Sequence, residues 1–136
     1  MPRHSPGDIL FEETIPGATR DRLRLFSQAT QDPNPIHVDE AFAKECGFPT
    51  VVQQGPMTTA HFARLLEAAV GRDRLKLLDV TFTAPVFPGE ALTLTASISE
   101  VGNGVVRCDL RAVKEDGAQT AKGFAEFEDY AEDRRQ

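Results

Sequence analysis

The sequence has little with which to build a cross-linked, metal-bound or membrane-spanning protein. Its two cysteines, Cys46 and Cys108, are far apart, and neither has a second thiol at metal or redox spacing. They read as unpaired thiols in a reducing cytoplasm. His4, His37 and His61 form no HxxxH pair, so no metal is expected. Positive charge is also scarce: 15 Lys and Arg against 21 Asp and Glu give a formal net charge of -6. A nucleic-acid surface needs clustered cations, and the only adjacent arginines, Arg134 and Arg135, sit in a polar tail. An anionic ligand would need a local basic patch, which the linear order does not place. No apolar run is long enough to span a bilayer, and Met1 to Pro16 lacks the apolar core of a signal peptide. Repeats, low-complexity stretches and linkers are missing too. What is left is one domain over residues 1–136, with the 40% hydrophobic and 26% charged content of an ordinary globular chain.

The two halves of that domain follow different periods. From Thr19 to Gly71 the pattern is helical. Thr19 is suited to cap a helix carrying Leu23, Leu25, Phe26 and Ala29. Asp32-Pro33-Asn34-Pro35 must end it, because each proline lacks an amide donor and pushes its predecessor out of the helical region. Asp39 then caps a short helix that runs through Ala43 and ends near Gly47. A longer helix follows Gly55, with Pro56 in its first turn, Phe62, Leu65, Leu66, Ala69 and Val70 at helical spacing, and Gly71 as its stop.

From Leu75 to Phe127 the chain alternates. Leu78, Val80, Phe82 and Ala84 share one side of a strand, as do Leu92, Leu94, Ala96 and Ile98 of the next. Val106, Cys108, Leu110 and Ala112 form a third set. Period two marks half-buried antiparallel strands, and Asn103-Gly104 and Asp116-Gly117 fall between them as hairpin turns. One long helix with several such strands implies an α+β layer, the helix packed on one sheet face. From Asp129 onward the chain reads as a frayed polar tail.

The chemistry-bearing stretch is Thr30-Gln31-Asp32-Pro33-Asn34-Pro35-Ile36-His37-Val38-Asp39. On a regular helix, Asp32 and His37 would point to different faces, so the segment must curl for them to meet. Two prolines restrict the loop, and Asn34 can close the turn through local backbone hydrogen bonds. A carboxylate and an imidazole that converge can clamp one water molecule, one taking its proton while the other supplies a proton to a substrate. The same residues also read as a proline-rich turn ahead of a helix, with His37 at the surface.

At this point the sequence resembles the MaoC-like, (R)-specific enoyl-CoA hydratase family. Its motif runs from an aromatic residue through Gly-Asp-x-Asn-Pro-aliphatic-His to a small residue. Phe26, Thr30, Asp32, Asn34, Pro35, Ile36, His37 and Ala43 fall into it. Gln31 departs from the family glycine, and Ala29 from a larger aliphatic. Downstream, Val51-Val52-Gln53-Gln54-Gly55-Pro56-Met57 resembles the family's approach to its central helix, with Gln54 where histidine is usual. Phe82-Thr83-Ala84-Pro85-Val86-Phe87-Pro88-Gly89-Glu90 resembles a third family segment, with Glu90 for the usual aspartate. The three segments run in family order over nearly the whole chain.

The resemblance implies a single hot-dog domain, an antiparallel sheet wrapped around a central helix. It implies reversible hydration of trans-2-enoyl thioesters to (3R)-3-hydroxyacyl thioesters, with CoA or acyl-carrier protein as the thiol. Asp32 and His37 would form the acid-base dyad, and Gly55 N–H would polarise the thioester carbonyl. Asn34 and Gln54 would bind substrate or shape the loop. No cofactor is implied, since CoA or phosphopantetheine is part of the substrate. A homodimer is expected, and a heterodimer with another hot-dog subunit is an alternative. Two other activities fit the same frame: a hot-dog acyl-CoA thioesterase, and a non-catalytic acyl-thioester-binding partner subunit.

Overall fold

The structure, a computed structural model, describes residues 4–129. In chain order the elements are β1 (Ile9–Ile15), α1 (Arg20–Thr30), a 3₁₀ turn (Pro35–His37), α2 (Glu40–Glu45), α3 (Gly55–Val70), β2 (Leu75–Phe82), β3 (Leu92–Gly102), β4 (Val105–Lys114) and β5 (Gln119–Glu128). The strands form one antiparallel sheet in the order β1-β3-β4-β5-β2, leaving β1 and β2 at its edges. The expected α+β layer is present.

The helix ends follow local chemistry. Thr19 accepts a hydrogen bond from the Arg22 amide, and Asp39 accepts one from the Phe42 amide, as caps at both positions should. Gly71 ends α3 with φ of 104°, its N–H donating to the Glu67 carbonyl. Asn103 and Gly104 both have positive φ, 57° and 76°, which the tight β3–β4 hairpin requires.

The alternating strand residues become the core. Leu94, Ala96, Ile98, Val106, Cys108, Leu110, Ala112, Ala121, Ala125 and Phe127 pack against Phe62, Leu65, Leu66 and Val70 of α3. Small side chains at 96, 112, 121 and 125 leave the helix room to settle on the sheet. Full burial of a side chain such as Phe62 or Leu66 contributes about 1.5–3 kcal/mol. Gly123 serves a different purpose. A Cβ there would lie 1.9 Å from the Asp79 carbonyl oxygen, so only glycine lets β2 pair at that point of β5.

Three expectations need correction. Residues 9–15 form a strand that the period did not reveal, because its apolar residues cluster at 9–11 and a register shift follows Ile9. Ala84 does not continue β2. The amides of Thr83 and Ala84 both turn to the Thr120 carbonyl, and Pro85 follows. Leu25 and Ala69 fit the helical period yet face outward, since the sheet covers only part of α3 and only one face of α1 is covered. Asp129 is still tied by its amide to the Gly104 carbonyl. The rest of the expected tail, including Arg134 and Arg135, lies outside the described residues. Among those described, no helix is long and apolar enough to cross a membrane.

A second, smaller cluster of Ala18, Leu23, Val51 and Met57, with Phe26 against it, fastens α1 to the start of α3. This cluster brings the candidate site together.

Candidate active site

The path from α1 to the dyad is set by one left-handed residue. Gln31 closes the helix at φ 55°, ψ 41°, and the Asp32 amide then donates back to the Ser27 carbonyl at 2.9 Å. Two Asx turns follow in series. Asp32 Oδ1 accepts the Asn34 amide at 3.0 Å, and Asn34 Oδ1 accepts the Ile36 amide at 3.1 Å. Pro35 starts the 3₁₀ turn that delivers His37, and its carbonyl takes the amides of Val38 and Asp39. The segment therefore curls as its prolines and asparagine require.

The curl brings the two side chains together. His37 Nε2 lies 3.5 Å from Asp32 Oδ2, with side chains 13% and 30% exposed. His37 Nδ1 lies 2.7 Å from the Val52 carbonyl oxygen. A carbonyl oxygen only accepts, so Nδ1 donates to it and Nε2 is the ring nitrogen turned toward Asp32. Asp32 Oδ2 and His37 Nε2 then face one another, close enough to contact one water together.

Residues 52–54 lead into α3, meet the dyad turn at Val52, and line a different cleft from the one that Asp32 lines. The Val52 amide donates to the Ile36 carbonyl at 3.0 Å, so Val52 holds the dyad turn through both of its backbone groups. Gly55 is the first residue of α3, and its N–H has no acceptor among the described residues. Pro56 has no N–H to offer, which leaves Gly55 as the donor nearest that helix start. Val52 and Gly55 line one cleft of about 390 Å³, together with Thr58, Phe82 and Val86. The Phe82 ring lies so close that a Cβ on Gly55 would be 2.6 Å from its Cε2.

Gln54 is 1% exposed. Its side-chain amide donates to the Leu23 carbonyl at 2.6 Å and to Ser27 Oγ at 2.9 Å, bracing the start of α3 against α1. Its Oε1 is buried without a partner among the described residues, a cost of about 1–3 kcal/mol. The structure thus turns Gln54 toward α1 and the residue that anchors Asp32.

Three contributors were not legible as site residues. Val52 and Ser27 act through backbone carbonyls, for which a sequence holds no signal. Glu40 accepts hydrogen bonds from both Thr50 and Arg20, joining α2 to the start of α1 and to the loop before Val51. Those two hydrogen bonds, Thr50 foremost, hold its carboxyl below the usual range. His61 is half-buried between α1 and α3, with Nδ1 3.2 Å from Arg64 Nη2. Burial first, then the charges of Arg64 and Arg22, depress its pKa, and nothing joins it to the dyad.

Comparison with known proteins identifies the family and the fold. Residues 7–120 match the model of the MaoC like domain family. The chain is 33% identical over 112 residues to 3-hydroxyacyl-thioester dehydratase Y of Mycobacterium tuberculosis, covering 74% of this chain and 39% of that protein. It is 31% identical over 107 residues to the fatty acid synthase beta subunit hexB of Dothistroma septosporum, covering 76% of this chain and 6% of that protein. The chain therefore spans well under half of these curated relatives. Its fold is that of an (R)-hydratase from A. caviae involved in PHA biosynthesis, with TM-score 0.83, 21% identity, and 93% of this chain and 97% of that chain covered. A chain of the ChsH1-ChsH2 complex from Mycobacterium tuberculosis matches with TM-score 0.82, 17% identity, and 91% and 97% covered. The arrangement is a hot-dog fold. The chain belongs to the MaoC-like domain family, whose named relatives include 3-hydroxyacyl-thioester dehydratases.

Proposed function

We propose that this chain reversibly hydrates trans-2-enoyl thioesters of CoA or acyl-carrier protein, giving (3R)-3-hydroxyacyl thioesters. One observation carries the reading: Asp32 Oδ2 and His37 Nε2 face each other at 3.5 Å, while Val52 fixes the other ring nitrogen.

Water held between the two groups gives up one proton to the dyad as its oxygen bonds to C3 of the enoyl group. The C2–C3 double bond opens, C2 takes a proton from the dyad, and both additions occur on one face. Charge that gathers on the thioester oxygen meets the Gly55 N–H at the start of α3, a donor of a kind worth about 2.7–4 kcal/mol. Asn34 keeps the dyad loop in register, and Gln54 braces the helix start. No cofactor takes part. The thiol carrier belongs to the substrate.

The chain acts in the cytoplasm as a homodimer, with the edges of two sheets joined. Edge strand β2 supports this, because its Leu77 and Phe82 are 41% and 48% exposed. The neighbouring ChsH1-ChsH2 complex supports the alternative of two different hot-dog subunits. Light scattering on the purified chain decides: a stable monomer would end the homodimer reading.

The activity is tested by loss of enoyl absorbance from crotonyl-CoA. Asp32→Asn and His37→Ala should each lower kcat by about 10²–10⁴-fold, with the far-UV circular dichroism of the parent. Near-normal rates in both variants would remove the dyad. Release of free thiol in place of hydration would identify a thioesterase.

A further inference from the structure

We infer that Ser27 is a positioning residue of the candidate site, joining Asp32 and the Gly55 donor to one turn of α1 through the side chain of Gln54. This rests on the hydratase reading above and adds what sets the spacing between the two halves of its site.

The two halves come from separate parts of the chain. Asp32 follows α1, Gly55 begins α3, and they line different clefts. A shift of about 1 Å between groups that act on one substrate can cost about 10²-fold in rate, so their separation has to be fixed. The tie between His37 and Val52 leaves the Asp32 backbone out. Ser27 reaches both halves. Its carbonyl accepts the Asp32 amide at 2.9 Å, and its Oγ accepts Nε2 of Gln54, the residue before Gly55, at 2.9 Å. Leu23, one turn earlier on the same face of α1, accepts from the same Nε2 at its carbonyl, at 2.6 Å. Leu23 and Ser27 are both buried, so water does not compete for these contacts.

Gln54 is a poor choice for stability alone. It stands at the N-cap of α3 yet makes no side-chain cap bond. Its Oε1 is buried without a partner among the described residues, which lowers stability. What it does provide is the pair of bonds to α1. Their loss would strand no group on α1. The Leu23 carbonyl keeps its place in the helix, and the Ser27 hydroxyl can turn back to it, as Thr30 Oγ1 does to the Phe26 carbonyl. Position and stability are therefore separable at residue 54.

The test uses the full chain, its Gln54→Met and Ser27→Ala variants, and the two combined. Methionine keeps the length of glutamine without the orphan oxygen and adapts to the space. Gln54→Met should unfold at a denaturant midpoint no lower than the parent's. Its kcat for crotonyl-CoA should fall about 10–10²-fold while KM stays close to the parent's. Ser27→Ala should lower kcat too, and the double variant should fall no further than Gln54→Met, because both substitutions cut one link. Exchange of the Asp32 amide hydrogen, read by NMR, should speed up in Gln54→Met as the last turn of α1 loosens. A Gln54→Met enzyme that is less stable with unchanged kcat would make residue 54 a structural brace only and overturn the inference. So would single losses in kcat that multiply in the double variant. The link and the hydratase reading fail separately. If the parent chain hydrates no crotonyl-CoA, the reading falls and the exchange measurement decides alone. Faster exchange at Asp32 would then uphold the link, and unchanged exchange would remove it.

Discussion

His37 Nδ1 lies 2.7 Å from the carbonyl oxygen of Val52, fifteen residues further along the chain. This contact does two separable things. It ties the dyad turn to the loop before α3, and it fixes the ring orientation that presents Nε2 to Asp32.

The two roles come apart in two substitutions. An asparagine side chain can place its N–H near the position of Nδ1 but has nothing at the position of Nε2. His37→Asn should therefore retain the bond to Val52 and keep a Tm close to the parent's, while kcat falls by about 10²–10⁴-fold. His37→Ala loses the bond as well and should cost a further ~1 kcal/mol in stability, readable by urea unfolding. Equal stability in the two variants would show that the Val52 contact does not hold the loop.

Gly55 is placed where a side chain has no room. Its Cβ would lie 2.6–2.9 Å from three atoms of the Phe82 ring, and the ring, 48% exposed, is the part that can yield. Gly55→Ala should destabilise the chain by about 1–3 kcal/mol. Most of that loss should return in the Gly55→Ala, Phe82→Ala double variant, because the crowding is with that ring. Turnover should fall in the single variant as the donor shifts away from the substrate oxygen. A double variant as unstable as the sum of its singles would place the strain elsewhere.

Gln31 holds a left-handed conformation, φ 55° and ψ 41°, that costs a residue with a Cβ about 1–2 kcal/mol. Gly at this position carries no such cost but is more flexible when unfolded. Gln31→Gly should thus stabilise the fold by a few tenths to ~1 kcal/mol, seen as a higher denaturant midpoint at unchanged slope. A destabilised variant would mean that the Gln31 side chain contributes more than its backbone strain.

Gln31 also shows how far the sequence could be read. Its departure from the family glycine was visible, but only the backbone shows that the position is left-handed. The helices were legible because caps and prolines act within a few residues: Thr19, Asp39, Pro56 and Gly71 all do what short-range chemistry dictates. The three alternating strands were legible because one sheet face is buried and the other is not. Strand β1 was not, since it is an edge strand with its apolar residues clustered and its register broken. In the site, side chains with chemistry were found and their anchors were missed. Asp32, Asn34 and His37 stand in a recognisable order, whereas the Val52 and Ser27 carbonyls look like any others until the fold aligns them. Gln54 was legible as a departure and not as a brace, because its partners lie on α1, 27 and 31 residues away.

The clamp at Glu40 ties one part of the acid stability to its carboxylate. Its pKa is held below the ordinary 4.5 by the hydrogen bonds from Thr50 and then Arg20. A group depressed in the folded state stabilises it above the unfolded pKa, and the contribution is lost as the pH falls through the folded value. Glu40→Gln has no charge to lose, so it should melt below the wild type at neutral pH. The gap should then close as the pH is lowered through and beneath 4.5. Thr50→Val removes the larger of the two causes and should narrow the same gap from the wild-type side. Thermal melts from pH 7 to pH 3 would show it, because the other carboxylates titrate alike in both chains and cancel in the difference. A gap that stayed constant across that range would mean that Glu40 supports the junction of α1 and α2 by shape and not by charge.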